Sequence, residues 1–193
     1  MTWIPAIGGG RRMPARRSIN VIASTAGAFF LLFLLNEFLF SRLAYSEAVN
    51  WVFLPSGLRL AFVLIFVEEG AIGIVLASSV ISLLYHFNSD VITALGAGVV
   101  SGFAPWLARL ICLDLFKLDV NLQRLSASTL LKVTALFSIV SPVLHQVWFS
   151  LRGQTQDFIT STAVMAVGDL IGTLVVLYAA KYLLGRVAVA QQK

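Results

Sequence analysis

An arginine in the middle of an apolar run sets the terms for this chain. Residues 50–67, NWVFLPSGLRLAFVLIFV, carry Arg59 near their centre. At helical rise the run is about 27 Å long, close to the roughly 30 Å of a bilayer's hydrocarbon core. A guanidinium keeps its proton, and at that depth it costs about 2.5–3.5 kcal/mol on insertion scales. Arg59 therefore calls for a partner or a water-filled pocket.

The rest of the chain supplies the lipid-facing context. Of its 193 residues, 59% are hydrophobic and 12% charged, and the mean hydropathy is +0.90. A soluble domain is about one-quarter charged, so the surplus apolar surface here belongs against lipid. The net charge of +5 is no nucleic-acid signal, because Lys and Arg gather at helix ends and form no basic stripe with interleaved aromatics. A single cysteine, Cys112, excludes an intrachain disulfide and a cysteine-rich metal site. It reads as a small packing residue.

Apolar runs predict an all-α, polytopic membrane protein with six transmembrane helices in one bundle, over 18–40, 50–67, 70–87, 91–113, 128–150 and 158–184. No stretch alternates as a membrane β-barrel does. Residues 1–17 form a Gly/Pro-rich basic tail, and residues 185–193 a second tail. The first run is too long for a cleaved leader, so it reads as a retained span. The linker 114–127 is charged and amphipathic, and is expected along the membrane surface. With a cytoplasmic N-terminus, that side collects the tail arginines, Lys117, Arg124, Lys132, Lys181, Arg186 and Lys193. The other side holds Arg42 and Arg152. Both termini are therefore expected in the cytoplasm, although the Glu68-Glu69-Gly70 turn has no basic residue. Small residues four apart, at Ala23/Gly27, Gly73/Ala77, Gly98/Gly102 and Gly168/Gly172, predict close helix contacts.

Counting inward from the outer ends of spans two and six puts Arg59 and Asp169 at one depth. A buried ion pair between them is the simplest way to avoid two isolated charges in lipid. Other polar groups fall in the same outer half: Asn36 and Glu37, His86, Thr93, Ser101, and a one-sided row of Ser138, Ser141 and His145. A polar cavity open to the outside, with Arg59 and Asp169 at its floor, accounts for the clustering. The candidate ligand-binding residues are Arg59, Asp169, His145, Glu37, Trp51 and Ser101. Each also has a structural reading. Trp51, Tyr85, His86 and Trp148 suit interface anchors, most hydroxyls suit bonds to their own helix, and Pro55, Pro105 and Pro142 suit kinks.

No chemistry-bearing motif appears. There is no phosphate-binding glycine loop, no nucleophile elbow and no pair of carboxylates at helical spacing. His145, Glu37 and His86 make only a poor metal trio. Neither catalytic residues nor a cofactor nor a metal are expected.

Trp51-x-x-x-Pro55-Ser56-Gly57-x-x-x-Ala61 resembles the start of a helix in bacterial membrane-associated sensor (MASE-type) domains. Gly168-Asp169-Leu170-Ile171-Gly172 resembles the last helix of one type of that family. The order and separation of the segments fit, but the tryptophan stands one turn ahead of the proline rather than beside it, and Arg59 is outside the pattern. The resemblance implies a sensory domain of a bacterial inner membrane. It would bind an unknown small ligand from outside and signal through a partner protein with the output function, since no output domain follows span six. Six spans in this length also resemble the substrate-binding subunits of vitamin-uptake transporters, and a purely structural membrane protein is a third reading.

Overall fold

The computed structural model describes residues 14–115 and 126–190, with side chains through residue 182. Among these, six α-helices pack into a bundle: α1 (Ala15–Phe40), α2 (Pro55–Phe66), α3 (Glu68–Ile81), α4 (Val91–Leu115), α5 (Ala127–Leu151) and α6 (Phe158–Ala190). Between α1 and α2 lies a short antiparallel hairpin of β1 (Ala44–Ser46) and β2 (Val49–Asn50). A π-helical turn (Ser82–His86) continues α3 and closes with Phe87 N–H donating to Ser82 O at 2.7 Å.

Five of these stretches are long and apolar enough to cross a membrane: Ala15–Leu43, Glu68–His86, Val91–Leu115, Ala127–Leu151 and Phe158–Tyr182. The expected second span is not among them. Residues 50–54 are not helical, and α2 has 12 residues, about 18 Å at helical rise. Proline at its first turn explains the late start, because Pro55 has no N–H to give to a preceding helical turn. The chain instead enters as an irregular strap, 51–54, and becomes helical only partway through the bundle. At the other end α2 stops at Val67 (φ +47°), a rare conformation for a β-branched residue, and α3 begins at once with Glu68 and Glu69 in its first turn.

The bundle has a terminal end and a hairpin end. Ser18 of α1 donates to Glu69 of α3 (2.9 Å) at the terminal end. At the hairpin end, Asp90 caps α4 and Asp157 caps α6. The last helix runs to Ala190, so the tail expected from 185 on is largely helix. The basic tail, apart from residues 14–17, lies outside the described residues, as does most of the linker at 114–127.

Apolar and polar residues are distributed inside out. Leu31, Phe38, Ile72, Leu76, Val99, Ile139 and Tyr178 are among the large exposed apolar side chains. The interior holds Thr25, Asn36, Ser56, Arg59, Ser101, Ser141, His145, Gln146, Asp169 and Thr173. Burial of polar groups in a lipid-facing bundle follows from solvent: hydrocarbon outside penalises them more than a neighbouring helix does.

Candidate functional site

The site begins with the way the strap lies on α6. Phe53 N–H donates to Gly168 O at 3.2 Å. A Cβ on Gly168 would stand 2.1 Å from Asn50 O, and one on Gly172 would stand 1.9 Å from Phe53 O. The glycines of Gly-Asp-x-x-Gly thus leave a trough in α6 that a backbone occupies. Leu54 N–H donates to Asn36 Oδ1 of α1 at 2.9 Å, giving an orphan donor at the buried start of α2 an acceptor. Ser56 Oγ lies 2.7 Å from Phe53 O, 2.9 Å from Asp169 O and 3.0 Å from Thr173 Oγ1. Its one proton faces two carbonyls, and the Thr173 hydroxyl supplies the third bond.

This seating fixes Arg59 against Asp169. Arg59 Nη2 donates to Asp169 Oδ1 at 2.8 Å, with the two side chains 1% and 0% exposed. The guanidinium lies between the rings of Phe53 and Phe137, at 5.2 and 5.6 Å from their centroids, where the ring faces offset part of the lost hydration. The pair forms as expected, but not between residues at one level. Because Asn50 already lies against Gly168 and Ser56 against Asp169 and Thr173, Arg59 starts about one turn inward of Asp169. Arg59 reaches back toward the start of α2, the direction in which helical side chains lean.

The pair is not fully satisfied. Arg59 Nε has no hydrogen-bond partner, while Ser141 of α5 stands beside the Asp169 carboxylate. Ser141 Oγ is a hydroxyl donor facing the carboxylate, so Arg59 Nε is the group of this cluster with no acceptor near it.

Above the pair, toward the hairpin end, is a small cavity of about 40 Å³. Arg59, Ser101 and His145 line it, together with Asn50, Ser78, Ser82 and His86, and with Phe29, Phe33 and Met165 as apolar wall. His145 Nδ1 donates to Ser141 O at 2.8 Å. In the neutral ring this leaves Nε2 to accept from Ser101 Oγ at 3.1 Å. The β hairpin contributes Ala48 and Asn50, which roof the space.

Of the expected residues, Arg59, His145 and Ser101 meet at this cavity, with Asp169 behind Arg59. Glu37 is half-buried on α1 and Trp51 is exposed; neither lines it. Sequence reading missed Ser78 and Ser82. Their signal was available, since Ser78, Ser82 and His86 recur every fourth residue along α3 and the π-helical turn that continues it. Asn50 had no such signal, because its position depends on the hairpin. Among the described residues no group of three metal-binding side chains occurs, His86, Glu37 and His145 included.

A second polar cluster ties α4 to α5 at the hairpin end. Arg152 donates to both Asp90 carboxylate oxygens (3.1 and 3.2 Å) and, through Nε, to Thr93 Oγ1 (2.9 Å). Trp148 Nε1 donates to Thr93 O at 3.0 Å. The Thr93 hydroxyl and N–H, with Arg152, hold the Asp90 carboxyl below its ordinary range.

Five apolar helices around a buried charge pair define a helical, multi-pass membrane protein. Comparison with protein-family models, with curated proteins and with solved structures finds no match for this chain.

Proposed function

We propose that the chain is a sensory module of a bacterial inner membrane, with both termini in the cytoplasm, that binds a small oxygen-bearing solute at Arg59 from the extracytoplasmic side. The observation that carries this reading is a guanidinium in a cavity wall, tied to Asp169 through one nitrogen while its Nε–H has no acceptor. A carboxylate or other oxyanion oxygen supplies what that donor lacks. The space admits a few water-sized groups, whereas a vitamin-sized solute needs roughly 300–1,000 Å³. The geometry therefore favours a very small ligand over the cargo of an uptake transporter. The resemblance of the strap and of Gly168–Gly172 to sensor domains supports the same reading.

Signalling follows from competition. A ligand oxygen on Arg59 competes with Asp169 and draws α2 away from α6. Because α2 joins α3 through the single residue Val67, its displacement reaches the terminal end directly, where a partner protein with the output function would read it. The ligand shifts this equilibrium only by its differential affinity for the two arrangements.

The test is thermal unfolding of the protein in nanodiscs against formate, acetate, nitrate and bicarbonate. At one hundred times its dissociation constant, a ligand specific to the folded state adds about 2.7 kcal/mol, and at least one of these anions is expected to raise Tm. Ser101→Ala, which leaves the ion pair in place, is expected to weaken that shift. No shift with any of the anions, or an equal shift in Arg59→Gln, would contradict the reading.

A further inference from the structure

A second recess lies between α1 and α2 at the terminal end, unconnected with the Arg59 cavity. It is a groove of about 370 Å³, open on one side, with Arg17, Asn20, Ser24 and Thr25 along α1 and Phe62 and Phe66 along α2. Its polar groups are placed in an order. Arg17 is exposed in the first turn of α1, Asn20 follows about one turn in, and Ser24 one turn further. Thr25 is 1% exposed, and its hydroxyl has no hydrogen-bond partner. From Arg17 to Thr25 the groove runs about 12 Å, close to the roughly 15 Å of one leaflet's hydrocarbon.

We propose that this groove holds one anionic phospholipid of the leaflet at the terminal end. The phosphate sits on Arg17 at the membrane surface. Asn20 donates to the glycerol-ester region one turn deeper, and an acyl chain lies along Phe62 and Phe66. Charge decides the class of lipid: the cation stands where a headgroup would lie, and the rest of the groove is apolar or weakly polar. A transmembrane helix of a partner would fill the apolar part equally well but would leave Arg17 without an anion. Since α2 forms one wall and also carries Arg59, the bound lipid steadies the mobile half of the proposed site, although the proposal stands without that site.

The experiment is native mass spectrometry of the protein released from nanodiscs of phosphatidylcholine doped with phosphatidylglycerol. The expected result is one retained phospholipid, enriched about tenfold for phosphatidylglycerol, equivalent to 1.4 kcal/mol. Arg17→Gln is expected to bring the two lipids to parity. Ser24→Phe, which fills the groove from an exposed position and leaves the core untouched, is expected to remove both. Equal retention of the two lipids by the parent would overturn the proposal, as would unchanged enrichment in Arg17→Gln. Displacement of the lipid by soluble glycerol phosphate, or a second copy of the chain retained in its place, would overturn it too.

Discussion

The carbonyl oxygen of Phe53 occupies the space that a side chain on Gly172 would need, 1.9 Å from the position of its Cβ. On this contact the strap, the depth at which α2 starts and the approach of Arg59 to Asp169 all depend.

Alanine at Gly172 must therefore push a backbone aside rather than a flexible side chain. Gly172→Ala is expected to destabilise by about 1–3 kcal/mol or more, in the range of overpacked cores. The companion change Gly27→Ala, at a glycine with nothing within 4 Å of its Cβ, is expected to be close to neutral. Reversible unfolding in mixed detergent–lipid micelles measures both. Equal effects at the two glycines would mean that the strap does not lie in the trough.

Asn36 gives the buried Leu54 N–H its acceptor from another helix. Replacing it by leucine keeps the branched shape, with a larger side chain, and leaves that donor unsatisfied, at a cost of about 1–3 kcal/mol. Hydrogen exchange should speed selectively at the Leu54 amide in Asn36→Leu. An unchanged exchange rate there would show that Asn36 does not make this bond.

The lock between α4 and α5 responds to acid. The Asp90 carboxyl is held below its ordinary value of 3.8, chiefly by the Thr93 hydroxyl. A depressed folded-state pKa means that the contribution is fully present above about pH 4 and is lost as pH falls through the lowered value. Parent and Asp90→Asn are therefore expected to differ in Tm by a constant gap at neutral and mildly acidic pH. The gap should close in stronger acid. A gap that persists there, or that is missing at neutral pH, would remove Asp90 from the lock.

How far the sequence leads can be judged from α2 and α3. Long apolar runs at 18–40, 91–113 and 128–150 agree with helices α1, α4 and α5 within three residues at either end, since length and hydropathy decide such spans. The run at 50–67 misleads because apolar composition is the same for a spanning helix and for a strap leading into a shorter one. Pro55 held the distinction: read as a kink, it is in fact a first-turn proline. Depth counting named Asp169 as the partner of Arg59 through a premise that does not hold, because Asn50 lies level with Gly168 rather than with the start of α6. The long arginine side chain spans the difference. The cavity wall was partly legible through Ser101 and His145. Its roof was not, because nothing in residues 44–50 announces a hairpin.

The central claim is that Arg59 and Asp169 are energetically coupled in the folded bundle. A double-mutant cycle tests it most directly, using Arg59→Gln, Asp169→Asn and the double change, with stability read from reversible unfolding in mixed micelles. Each single change is expected to cost about 3–5 kcal/mol, because it leaves an unpaired buried charge. The double change is expected to cost less than their sum by about 2–3 kcal/mol. Strict additivity of the two single effects would contradict the account.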